Sequence, residues 1–175
     1  MEVKTLFCGI DPGPQSFAWT VWDGSTVTAH GEMTNADAIE RDFAQWPAEM
    51  RASYFAIESI VAYGATVGTD TFATAETIGV LRVRLRTQLV FRLTRPEIKL
   101  HFLGRRTGTD SDLRNAVRAQ FEVPPTKQMP PELNGIKSHN LAAFYAAYVL
   151  QQQMSGDFGY SKHPAEALKG YCDGR

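Results

Sequence analysis

Residues Val3 to Ile10 form a short, almost wholly apolar run that is cut off by Asp11-Pro12-Gly13-Pro14. Such a run, closed by turn residues, is the pattern of a central strand buried on both faces, which commits the chain to a sheet covered on each side. The two prolines and one glycine that follow Asp11 force a turn. The carboxylate of Asp11 is therefore delivered where the strand leaves the sheet.

The rest of the chain can be read from that anchor. Ser16 to Trp22 and Thr26 to Met33 flank Asp23-Gly24-Ser25, a hairpin with glycine supplying the unusual backbone angle, so three successive antiparallel strands are expected first. Asn35 is placed to cap a helix carrying Ile39, Phe43 and Trp46, ended by Pro47. Tyr54 to Ile57 is a second compact apolar strand, with Glu58 at its C-terminal end. Ala62 to Asp70 reads as a loop. Phe72, Ala75, Ile78, Leu81, Leu85 and Leu89 then follow at helical spacing, although Arg82 to Arg86 also fits strand alternation.

Pro96 is read as breaking that element and Ile98 to Leu103 as the next strand. Gly104 to Gly108 is a basic loop, Asp110 or Asp112 caps a helix to Phe121, and Val123 to Gly135 is rich in proline. The last element is an apolar helix from His139 to Gln151, capped by Ser138. This order predicts an α/β fold: a mixed five-stranded sheet, three antiparallel strands first and then strand–helix units, flanked by helices. One domain is expected over 1–155, with a loosely held tail over 156–175.

Composition sets the class of partner. With 43% hydrophobic and 21% charged residues, the 175-residue chain is globular rather than disordered or fibrous. Its net charge of −1 argues against a polyanion, but the total hides a division. Arg82 to Arg118 holds ten basic residues against three acids, +7, and the remainder carries −8. One cationic face on an acidic body makes a polyanionic partner plausible. Cys8 and Cys172 have neither disulfide-framework nor zinc spacing, which suits a reducing compartment. No stretch reads as a signal peptide or a membrane span.

Asp11 and Glu58 carry the chemistry. Ligands of open α/β sheets bind beyond the carboxyl ends of strands, so two acids delivered there by neighbouring strands converge on one cleft. Close carboxylates repel unless a proton or cation lies between them, and Mg²⁺ is commonly held by one or two of them. Each acid alone reads equally well as a turn cap or an ion-pair partner. His139, at the start of the last helix, is either a surface histidine near a cap or a metal ligand or proton carrier. Ala142, Ala143, Ala146 and Ala147 let that helix lie close to the sheet.

Phe7-Cys8-Gly9-Ile10-Asp11-Pro12-Gly13, Phe55-Ala56-Ile57-Glu58, a basic loop and an alanine-rich closing helix together resemble the RuvC-type Holliday-junction resolvases of the ribonuclease H-like superfamily. Arg106 to Arg114 and Ile136-Lys137-Ser138-His139 are most similar to the phage-type members. The resemblance spans about residues 5 to 150. It implies a ribonuclease H-like fold and a crossover junction endonuclease with Asp11 and Glu58 as the first two acidic ligands. His139 stands in for an acid of the closing helix, while Ala142 and Ala143 occupy the place of another. Asn140, Asp110 or Asp112 is left to reach in, with helix capping the plainer role for the two aspartates.

The implied cofactor is Mg²⁺, with Mn²⁺ as substitute, two ions per site, in phosphodiester hydrolysis. The implied partner is branched DNA, held by Arg105, Arg106, Arg114, Lys127 and Lys137, with Tyr63 placed to stack on an unpaired base or to be an ordinary loop aromatic. A homodimer, with the second long helix as candidate interface, no nucleotide cofactor, no membrane, and the cytoplasm of a bacterial or phage-infected cell complete the expectation. Two other readings stay open: a nuclease for flapped or otherwise branched DNA, and a junction-binding protein with reduced cleavage. A sugar-kinase or actin-like ATPase would need a second glycine-rich phosphate loop that this chain lacks.

Overall fold

A computed structural model describes residues 4–61, 67–124 and 128–156. The strands are β1 (Phe7–Pro12), β2 (Ser16–Trp22), β3 (Val27–Thr34), β4 (Tyr54–Ser59) and β5 (Leu89–Thr94). The helices are α1 (Asn35–Glu40), α2 (Thr69–Arg84), α3 (Arg95–Leu103), α4 (Asp110–Gln120) and α5 (Ser138–Ser155). The strands form one sheet in the order β3-β2-β1-β4-β5, antiparallel through β1, β2 and β3 and parallel through β1, β4 and β5. The expected mixed sheet, opened by three antiparallel strands, is therefore present.

Strand alternation sorts the core into two layers. Cys8, Ile10, Phe55 and Ile57 face Ala38 of α1, Leu81 of α2 and Met50, while Phe7, Ala56 and Leu93 face α3, α4 and α5. Burial pushes the Cys8 thiol far above its ordinary range, so it is an inert core group. Helix α5 is seated most closely. Gly9, Thr20 and Ala56 are level across three strands and present only small side chains. A methyl at Gly9 would stand 1.8 Å from the Ala143 carbonyl oxygen and 2.7 Å from the Ala147 nitrogen. The Thr20 hydroxyl donates to the Asn140 carbonyl at 2.8 Å, and the Asn140 amide donates to the carbonyls of Trp19 (3.1 Å) and Gly31 (2.8 Å). These bonds fix the start of α5 against the strands.

Several boundaries differ from expectation. Asn35 is not the cap of α1: Thr34 accepts from the Asp37 amide, and Asn35 donates to the Gly13 carbonyl and the Thr77 hydroxyl. The helix stops at Glu40, and Phe43 and Trp46 belong to a separate 3-10 turn and its end. Ile98 to Leu103 is helical, not a strand. Pro96 opens α3, where its missing N–H costs nothing, behind a capping box in which Thr94 and Glu97 bond reciprocally. The fifth strand is instead Leu89 to Thr94, which ends the helical run at Arg84.

Helix α4 is capped by Thr109, with Asp112 completing the box. Ser138 caps nothing; it is the first residue of α5, preceded by Lys137. Leu133 and Ile136 are buried and tie the end of the proline-rich segment into the core. Apart from Gly156, the expected tail lies outside the described residues, as does Cys172. No helix among the described residues is long and apolar enough to cross a membrane.

Candidate active site

Ile10 of β1 pairs with Ile57 of β4, so the next residues, Asp11 and Glu58, leave the sheet side by side. Period-2 alternation puts both on the α5 face, in phase with Gly9 and Ala56. The turn after Asp11 is held by the Gly13 amide, which donates to the Ser16 carbonyl at 2.9 Å, and by Asn35 and Thr77 on the Gly13 carbonyl. Pairing in β4–β5 places Thr94 beside Ser59, and Arg95 follows at the head of α3. Strand ends and helix starts therefore converge at one edge of the sheet.

The side chains there form a connected set. His139 Nδ1 lies 2.9 Å from Asp11 Oδ2. Arg95 donates to Glu58 Oε2 at 3.2 Å and to Asp110 Oδ1 at 2.6 Å, and its guanidinium lies over the Tyr145 ring, 5.6 Å from the centroid. The Asp11 and Glu58 side chains are only 17% and 15% exposed. They line a cavity of about 670 Å³ with Arg95, Asp110, Arg114 and His139. Ser138 has φ of +47°, in the left-handed region, a strain of about 1 kcal/mol or more at the residue that brings His139 to Asp11.

Burial dominates the electrostatics. It pushes the Glu58 carboxyl up to about 7, against the pull of Arg95 and with help from the negative charge of Asp11. It also raises Asp11, although His139 and Arg95 act the other way. Asp110, more exposed and hydrogen-bonded to Arg95, is held below the ordinary carboxylate range. Folded Glu58 thus binds its proton more tightly than the unfolded chain does, and its ionisation costs stability as pH rises from about 4.5 to about 7. In a chelator-containing buffer, Glu58→Gln should match wild type at low pH and be more stable above pH 7, by at most about 3 kcal/mol. Parallel thermal melts at each pH check this; a constant difference across the range would contradict it.

The donor set suits a hard divalent cation. Among the described residues no cluster of three or more His, Cys, Asp and Glu side chains forms a ready metal cage. Mg²⁺, however, keeps several waters and needs only one or two carboxylates. Asp11 and Glu58, poorly solvated and held above their ordinary range, would provide those once ionised by the cation's charge, and the His139 imidazole stands beside Asp11.

Of the other expected residues, Arg114 reaches the cavity. Arg105 and Arg106 follow α3 rather than a strand end, are exposed, and do not line the cavity; Arg105 lies 3.9 Å from Asp112. Lys137 is exposed at the head of α5. Tyr63 and Lys127 lie outside the described residues. The Asn140 amide is committed to Trp19 and Gly31, and Asp112 to its capping box, so neither reaches in. Asp110 does, through Arg95.

The basic segment is not one face either. Arg84 pairs with Asp42 on the α1 side of the sheet, whereas Arg105 and Arg114 stand on the α3–α4 side, so the cations wrap the β5 edge. Arg95 and Tyr145 are the site residues that the sequence reading passed over. The available signal was Thr94-x-x-Glu97 with Pro96 directly after an apolar strand, which marks a strand-to-helix junction at Arg95.

No family model and no curated protein sequence matches the chain. Solved structures do. Thermus thermophilus RuvC aligns with a TM-score of 0.61 at 15% identity, covering 87% of this chain and 97% of that one. The chain has the RuvC fold. T. thermophilus RuvC in complex with its Holliday junction substrate aligns at 0.57 and 16% identity, covering 82% and 91%. The RuvC fold accounts for the sheet order and the closing helix; this chain's own carboxylates, imidazole and guanidinium define what the site can do.

Proposed function

We propose that this chain is a metal-dependent, structure-specific endonuclease that resolves four-way DNA junctions by paired nicks. What carries the reading is one arrangement: two desolvated carboxylates at adjacent strand ends, with an imidazole on the first, in a cavity rimmed by arginines. The RuvC fold supports it independently, since a protein of that fold is known in complex with a Holliday junction. A divalent cation, Mg²⁺ with Mn²⁺ as substitute, would supply the charge that makes the attacking water more acidic and eases departure of the 3′ oxygen. Asp11 and Glu58 would hold it, and His139, whose Nδ1 faces Asp11, is left with Nε2 to act as base.

In the reaction a water oxygen bonds to phosphorus as the bond from phosphorus to the 3′ oxygen breaks, and the 3′ oxygen takes a proton from solvent, leaving a 5′-phosphate and a 3′-hydroxyl. Asp11 orients His139 through the 2.9 Å contact at Nδ1, and the imidazole takes up a proton released by the water. Arg114, Arg105, Arg106 and Lys137 engage phosphates outside the reacting centre, fixing register without reading bases. Paired nicks need two sites, so the working form is a homodimer, with the exposed Phe72 and Val83 of α2 as candidate contacts.

The test is incubation with a four-way junction, a flap and a plain duplex, with Mg²⁺, Mn²⁺ or chelator. Cleavage of the junction alone, with either metal, is expected. Preferential flap cleavage would move the enzyme to another branched substrate, and binding without cleavage would make it a junction-binding protein. Junction affinity should also fall about 100-fold between about 50 and about 200 mM salt if four phosphates are engaged. A flat response in a filter-binding titration would mean that these arginines are merely solvated.

A further inference from the structure

We propose that Arg95 is a built-in cation of the active site, taking the place of the second of the two divalent ions expected for such an enzyme. The proposal rests on the metal-dependent reading above and concerns how many ions this chain uses. Four carboxylates, Asp11, Glu32, Glu58 and Asp110, line one cavity together with two guanidiniums, Arg95 and Arg114. Arg95 joins two of them, at 3.2 Å to Glu58 and 2.6 Å to Asp110.

Its position is built from several directions. The Thr94–Glu97 capping box and Pro96 fix the backbone at the head of α3. Tyr145 presents its ring to the guanidinium; this residue is 2% exposed, and its buried hydroxyl has no hydrogen-bond partner, leaving the ring as its contribution to the site. Across the cavity, one turn beyond His139, α5 carries Ala142 on the cavity wall and Ala143 buried against Gly9, where a further acid would be needed to hold another ion.

Charge balance points the same way. One divalent ion and the two guanidiniums, Arg95 and Arg114, offset the four carboxylates, whereas two divalent ions with both arginines in place would leave the site at +2 before a phosphate arrives. Arginine stays protonated and has five N–H donors, of which two are spent on Glu58 and Asp110. The remaining donors can meet the non-bridging oxygens of the scissile phosphate and stabilise the charge that grows there as the P–O3′ bond breaks. Arg95 carries charge and donates hydrogen bonds; it does not supply the proton that the 3′ oxygen takes up.

Titrating the full chain with Mn²⁺, with free ion read by electron paramagnetic resonance, should give one ion per chain, and cleavage should rise with Mg²⁺ at a Hill slope near one. Arg95→Gln should bind Mn²⁺ at least as tightly but cut the junction about 100-fold more slowly. Arg95→Lys, which keeps the charge, should recover part of that rate with the same single ion. Two Mn²⁺ per wild-type chain, or a Hill slope near two, would overturn the proposal while leaving the metal-dependent reading intact. Wild-type cleavage by Arg95→Gln would do the same. If no Mn²⁺ binds, the metal-dependent reading itself fails, and this inference with it. Should Arg95→Gln not fold, the wild-type ion count and Arg95→Lys still decide.

Discussion

Asp11→Asn and Glu58→Gln are each expected to slow junction cleavage on the order of 1,000-fold while changing junction affinity less than about threefold. The reasoning is electrostatic. Each substitution keeps the shape of the side chain and removes one of the two charges that face each other at the ends of β1 and β4. In the proposed complex, affinity comes chiefly from phosphate contacts outside the reacting centre, at Arg105, Arg106, Arg114 and Lys137, which neither change touches. Burial disfavours the charged form of both acids, so removing the charge is not expected to destabilise the fold. Both variants should melt no lower than wild type at neutral pH without metal. Single-turnover cleavage and a binding isotherm on the same preparations check the prediction; full activity in either variant would remove that acid from the site.

Gly9→Ala should be the most damaging single methyl addition to the core. Its Cβ would lie 1.8 Å from the Ala143 carbonyl oxygen, and the obstacles are backbone atoms that no rotamer change can move aside. Helix α5 would have to lift off the sheet, breaking the Thr20–Asn140 and Asn140–Gly31 bonds that hold its first turn. A cost of about 3 kcal/mol is expected, at the high end for overpacking, with a fall of about 10 °C in melting temperature. Cleavage should drop as well, since His139 rides on the displaced turn. A thermal melt of Gly9→Ala within about 2 °C of wild type would show that the helix tolerates the shift.

What sequence patterns revealed here follows from where information is local. Val3 to Ile10 before Asp-Pro-Gly-Pro, and Tyr54 to Ile57 before Glu58, are contiguous patterns, and they located both carboxylates and the sheet centre. The small residues of α5 announced close packing, which Gly9 explains from the opposite side. Pro96 misled because proline both ends and begins helices; only the Thr94–Glu97 box decides which. Leu89 continued a helical spacing by accident and belongs to β5, where pairing with Tyr54 overrides periodicity.

Asn35 shows the same limit in miniature. Its preference for helix caps is local, whereas its bonds to Gly13 and Thr77 span 22 and 42 residues of sequence. Arg95 was legible as a charge but not as a site residue, because its partners Glu58 and Asp110 come from separate elements. The summed basic segment misled for a related reason: the sheet stands between Arg84 and Arg114, so charges close in sequence end on opposite sides.

In the proposed reaction these carboxylates direct paired, metal-dependent nicks at a four-way junction. A supercoiled plasmid that extrudes a cruciform tests it most directly. Two nicks made within one binding event convert the supercoiled plasmid straight to the linear form, whereas independent nicks first produce open circles. With Mg²⁺, linear plasmid is expected as the first product, with ends mapping to opposed strands of the cruciform, and none with chelator or with Asp11→Asn. Intact plasmid in Mg²⁺ and in Mn²⁺, or cutting that persists in chelator, would contradict it.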